Sequence, residues 1–235
     1  MKLKESHRRG RVHTFKAYLA ILVCFNTKAV HIELVTSLST EAFLAHCGGL
    51  REAAVKVAKQ RLNAVTQGLT LTFEESYTLL TEIEAVMNSR PLTLLSSDPA
   101  SLEVLTPAHF LINDSSIQPV QPELLDIPDN RLSRWQLLQK VRQDFWKRWS
   151  LKYLQELQKR SKWCSGSDSI STGAMVLLME DSTSPLQWNL GRVMEVHPSN
   201  DGIVRKVTVK TQTGLFVRSV RKLCPLPMDS QFQNS

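Results

Sequence analysis

At 235 residues with 42% hydrophobic and 22% charged content, the chain can bury one large core or two small ones, which excludes a disordered polymer. Its longest apolar run, Tyr18 to Phe25, is only strand length, and its basic start lacks a signal-type apolar region. The sequence therefore predicts an intracellular protein without a membrane partner. The formal charge of +7 hides a partition: residues 1–68 carry 11 Lys/Arg against 4 Asp/Glu, residues 69–130 carry 1 against 10, and residues 131–162 carry 10 against 2. Such blocks suit nucleic-acid contact by the first and third segments, or contact between oppositely charged blocks of one chain.

Lys16 to Asn26 reads as a buried strand, with a turn at Asn26-Thr27-Lys28 and a second strand from Ala29 to Val35. In the second strand Val30, Ile32 and Leu34 alternate with His31, Glu33 and Val35, which predicts that His31 and Glu33 share a surface face. Ser39 caps a short helix. After Gly48-Gly49, a helix-forming run to about Thr66 sets Glu52, Lys56 and Lys59 at i, i+4 and i+7, on one side. On spacing alone this is a helix-stabilising charge pair.

Thr72 with Glu75 three residues on forms a capping-box signature, and Phe73, Tyr77, Leu80, Ile83 and Met87 continue a helical stripe that predicts core packing. Pro91 ends that helix by disfavouring the helical region at Arg90. From Leu92 to Asn130 frequent prolines predict an irregular connector, interrupted by one short helix that Thr106-Pro107 caps and that ends before Asn113. Its acidic residues form no ligand motif.

Leu132, Trp135, Leu138, Val141, Phe145, Trp149, Tyr153 and Leu157 recur at three- and four-residue intervals, predicting an amphipathic helix of about 28 residues. Its other faces are basic: Arg142, Lys147, Arg148 and Lys152 are candidates for following a nucleic-acid backbone. Trp135, Phe145 and Trp149 are candidates for docking a second copy or another protein. Beyond a Ser/Gly linker, four strand candidates (Ala174–Met179, Leu190–His197, Ile203–Thr211 and Leu215–Val220) predict a small antiparallel barrel or compact sheet. There Arg218, Arg221 and Lys222 belong to a weak basic patch. Cys24, Cys47, Cys164 and Cys224 are widely spaced, which predicts reduced thiols and no structural zinc.

Several ordered stretches together resemble the integrase region of BEL/Pao-type retrotransposon polyproteins: Lys16 to Val35, Leu38 to Leu44, Gly48 to Lys56, Ile83 to Thr93 and Leu105 to Ile112. Met175 to Pro227 is similar to the small domain that follows the core in those elements. The resemblance implies an α+β protein: a partial RNase H-like integrase core over residues 1–95, a Pro-rich connector over 96–131, the long basic helix over 132–163 and an SH3-like β barrel over 173–227. It also implies a site in which two aspartates and a glutamate hold two Mg²⁺ or Mn²⁺ ions. Glu52 occupies the place of that glutamate, and Lys56, Lys59 and Arg61 follow where such helices present basic residues to DNA.

Both aspartates are missing from their expected places, since the first aspartate anywhere in the chain is Asp98. Glu52 alone cannot hold two mutually repelling divalent ions. The expectation is an integrase-derived chain without strand transfer and without a bound cofactor, nuclear in setting, and retaining DNA contact. The alternative is a structural or protein-interaction module that docks through the aromatic face of the long helix.

Overall fold

The structure, a computed structural model, describes residues 2–4, 14–36, 60, 62, 64–66, 69–96, 98, 100–113, 121–165, 170–180, 184–199 and 204–227; residues 2 and 159–165 are described by backbone alone. The fold is α+β, and the chain divides into two units, Met1–Ser89 with Pro107–Trp149 and Arg90–Thr106 with Ser150–Ser235. Each unit is built from two separated stretches of sequence.

In the first unit, β1 (Lys2–Lys4) lies between antiparallel β2 (Thr14–Lys16) and parallel β5 (Leu71–Thr72). The hairpin of β3 (Tyr18–Val23) and β4 (Val30–Val35) is a sheet of its own, in register from Tyr18↔Val35 to Val23↔Val30. Val30, Ile32 and Leu34 are buried, so the period-two pattern selects the core face. His31 is exposed, and Lys28 takes a left-handed φ of 59° in the turn.

Helix α1 (Phe73–Asn88) opens with the anticipated capping box: the Thr72 hydroxyl accepts from Glu75 N–H and the Glu75 carboxylate accepts from Thr72 N–H. Its apolar face, Leu79, Leu80, Ile83, Val86 and Met87, is buried. Its polar residues also bind the hairpin. Glu84 accepts from Ile32 N–H at 2.7 Å, and one turn later Asn88 accepts from Val30 N–H at 2.7 Å. Two strand residues rise about 6.7 Å and four helical residues about 6 Å, so helix side chains at i and i+4 can stand in for a neighbouring strand along the edge of β4.

Helix α2 (His109–Ile112) is one turn long and ends before Asn113, as the sequence anticipated, with Asn113 at a left-handed φ of 57°; its N-cap is Ala108 without a side-chain cap, which corrects the anticipated cap at Thr106-Pro107. Helix α3 (Arg134–Ser165), 32 residues long, begins in the first unit and continues into the second.

The second unit pairs β6 (Thr93–Leu94) with β7 (Val104–Leu105) and carries one five-stranded antiparallel sheet of order β11-β10-β9-β8-β12. Its strands are β8 (Met175–Leu178), β9 (Leu190–Pro198), β10 (Val204–Thr211), β11 (Gly214–Ser219) and β12 (Leu223–Pro225). Strand β8 is buried on both faces. Val176 and Leu178 join Val193, Val207, Val209 and Leu223, whereas Met175 and Leu177 join Leu154, Leu157, Cys224 and Leu226. Gly191 of β9 has no room for a side chain, because a Cβ there would sit 2.3 Å from Val209 Cγ1.

Two architectural expectations are corrected. The C-terminal sheet is open, since β11 and β12 are its two edges and do not pair, so it is not an SH3-like barrel. A 3-10 turn, Val220–Lys222, separates them, and the three-residue β12 ends on Pro225, which lacks a ladder donor. The described residues also form no single RNase H-type mixed sheet, because β3–β4 stands apart from β2-β1-β5.

Candidate interaction surface of the long helix

Of the residues singled out by sequence, Glu52, Lys56, Lys59 and Arg61 lie outside the described residues. The basic residues of α3 are described as far as Lys152, and all of these but Lys147 meet acidic partners within the chain. At the start of α3 the Arg134 guanidinium reaches both Glu75 oxygens, at 2.8 and 2.5 Å, and the Thr70 carbonyl at 3.2 Å. That two-pronged hydrogen bond holds the Glu75 carboxyl below its ordinary pKa, and raises the pKa of Arg134.

Two turns later Lys140 Nζ pairs with Asp129 at 2.8 Å and donates to the Ile127 carbonyl at 2.6 Å. Arg142 is only 2% exposed: it donates to Gln121 at 2.5 Å and lies 3.8 Å from Glu82. Burial pushes its pKa down, with Glu82 acting in the opposite sense. Gln139 adds a hydrogen bond to Glu82 at 2.9 Å. Arg134, Lys140 and Arg142 are thus bound to the acidic block that precedes them, which fits the second of the two readings of the charge partition for these three residues. Within the helix, Arg148 pairs with Asp144 at 2.8 Å and Lys152 with Glu156 at 3.9 Å. Lys147 is exposed, with no ion pair among the described residues.

The aromatic stripe divides in the same way. Phe145 and Trp149 stack with centroids 6.4 Å apart, and both are buried, as is Trp146. Trp135 is 54% exposed. On α1, Phe73 and Tyr77 stack at 6.3 Å and are exposed, which corrects their expected place in the core stripe: they lie off the buried face of Leu80, Ile83 and Met87. The Arg134–Glu75 link joins the starts of the two helices that carry these aromatics. In the second unit Tyr153 meets Trp188 edge-on at 5.6 Å and its hydroxyl donates to the Pro91 carbonyl.

Farther along the second unit, Arg218 lies 5.0 Å from the Phe216 ring centroid and 3.4 Å from Glu180. Arg221 and Lys222 are exposed on the 3-10 turn.

Sequence reasoning missed the carboxamides. Gln143 accepts from Leu124 N–H and donates to the Pro122 carbonyl, both at 2.9 Å, while Gln158 donates to the carbonyls of Arg221 and Leu223 at 3.0 and 3.1 Å. The available signal was a polar amide at an inward helical position, but its partners lie too far along the chain to be paired by pattern. Among the described residues no group of three His, Cys, Asp or Glu side chains is placed to hold a metal ion. No described helix is long and apolar enough to cross a membrane.

This geometry defines an α+β chain whose long helix is built into both units. Residues 133–226, less than half of the chain, match a family of unknown function (DUF5641), one linked to Pao/BEL-type transposon proteins. The match takes in α3 and the open sheet. No curated protein matches the chain.

Proposed function

We propose that the chain is a protein-interaction module of transposon origin that self-associates through the exposed aromatics Trp135, Phe73 and Tyr77. One observation carries the reading: Arg134, Lys140 and Arg142 of α3 are engaged within the same chain (Arg134–Glu75, Lys140–Asp129, Arg142–Glu82), which withdraws these three cations from a partner while Trp135, Phe73 and Tyr77 stay exposed. Half-exposed Trp and Tyr side chains suit such a role, because they bury large area at low entropic cost. Sedimentation of the chain over a range of concentrations is the test. Association that weakens on Trp135→Ala or Tyr77→Ala supports the reading, whereas a monomer at every concentration refutes it.

A second reading, DNA contact, draws on the second unit, where Lys206, Lys210, Arg221 and Lys222 are exposed. Salt-dependent duplex binding that weakens on Arg221→Ala with Lys222→Ala favours it over the first.

A further inference from the structure

The segment Gln121–Asn130 lies along α3 in an arrangement that has the parts of a peptide complex. Gln143 reads its backbone in both directions, accepting from Leu124 N–H and donating to the Pro122 carbonyl. Leu124 is the anchor, 6% exposed, while Glu123, Asp126 and Asp129 stay at the surface. Lys140 grips the far end through Ile127 O and Asp129, and Arg142 the near end through the Gln121 side chain. Backbone hydrogen bonds of this kind tolerate any side chain, so selection falls to the leucine anchor and to the acid five residues beyond it. Between leucine and acid the backbone turns, Ile127 N–H donating to the Leu124 carbonyl at 3.1 Å, and Pro122 and Pro128 reduce the entropy lost on docking.

From this arrangement we infer that the Lys140–Gln143 face of α3 is a peptide-recognition site, and that its partner is an acidic segment that turns as this one does, carrying leucine with an acid five residues on. The chain's own residues 121–130 occupy that site as an internal competitor. The inference rests on the interaction-module reading and names a second surface for it. A tethered segment acts at an effective concentration on the order of millimolar, so a free partner binds well only when the internal segment is weakened.

A fluorescein-labelled peptide of residues 121–130 is titrated against the full chain and against two variants, Asp129→Lys, which alters an exposed residue, and Leu124→Ala with Asp129→Lys. Peptide affinity at least fivefold higher for Asp129→Lys than for the parent, and higher again for the double variant, is the expected result. Gln143→Ala in the Asp129→Lys background abolishes the gain, and a scrambled peptide of equal charge does not bind. Equal affinity for parent and Asp129→Lys, or equal binding of the scrambled peptide, overturns the proposal, with circular dichroism establishing that the single variant is folded. Self-association through Trp135 is unaffected by either outcome, so failure here is distinct from failure of the proposed function.

Discussion

The Asn88 carboxamide closes a two-way hydrogen bond with the backbone of Val30, accepting from its N–H and donating to its carbonyl, each at 2.7 Å and both buried. Asn88 is the last residue of α1 and Val30 the first of β4, so the pair fixes where the helix stops relative to the strand. The Asn88 carbonyl also accepts from Ala108 N–H at 3.0 Å.

Asn88→Ala is expected to destabilise the first unit by about 2–4 kcal/mol, because two buried peptide groups lose their partners at roughly 1–3 kcal/mol each. Asn88→Asp keeps an acceptor but loses the amide donor, so it does not restore the full arrangement. Urea unfolding followed by circular dichroism measures both; a loss below 1 kcal/mol for the alanine variant would show that water replaces the carboxamide.

The Arg134–Glu75 link carries a pH signature. The folded pKa of Glu75 is depressed, so its contribution is complete above the unfolded carboxyl value of about 4.3 and is lost as pH falls through the folded value. Half of the Arg134 side chain meets solvent, which limits the effect to about 1 kcal/mol or less. Thermal melts between pH 7 and pH 3 should fall less steeply for Glu75→Gln than for the parent below that carboxyl value, and parallel slopes would exclude the link as their source.

Two cysteines differ in opposite directions. The Cys24 thiol is exposed and its pKa is lowered, mainly by a hydrogen bond to Thr27, whereas burial pushes that of Cys224 up to about 12. Cys224 also donates to the Leu154 carbonyl at 3.4 Å. With Cys47→Ser and Cys164→Ser in place, a disulfide reagent at pH 7 should modify one thiol quickly and the second only on unfolding. Rapid reaction of both in the folded chain would mean that the β12 edge opens readily.

Gly191→Ala should cost about 1–3 kcal/mol by overpacking against Val209, and the added Val209→Ala should recover part of that loss by removing the colliding methyl. A double-mutant cycle in urea reports the coupling. Strictly additive losses would place the strain elsewhere, on the Lys210 carbonyl, which lies 3.1 Å from the added carbon.

Local patterns in the sequence recover the elements they govern. Alternation in Val30–Val35 selects the buried face, Thr72 with Glu75 starts α1, and the aromatic spacing from Leu132 finds α3, which runs somewhat past the expected 28 residues. Strands of two or three residues such as β5, β6 and β12 are too short for any periodicity to declare them. Strand count in the C-terminal unit also could not decide closure, because that depends on whether β11 meets β12. The charge blocks were legible as blocks. Their pairing was not, since Arg134 and Glu75 are 59 residues apart in sequence and nothing local distinguishes a cation bound for an acid from one bound for phosphate.

The interrupted composition of the two units sets an order of assembly during synthesis. Residues 90–106 are made before the second stretch of the first unit, yet their long-range partners come much later: the Arg192 guanidinium that binds the Ser101 carbonyl is 91 residues downstream. At roughly 5–20 residues per second, this hairpin segment waits on the order of 5–20 s for that partner. The first unit, in contrast, has its sequence complete at Trp149. The first unit therefore has its whole sequence available before the second does, and α3 carries the backbone from the first into the second.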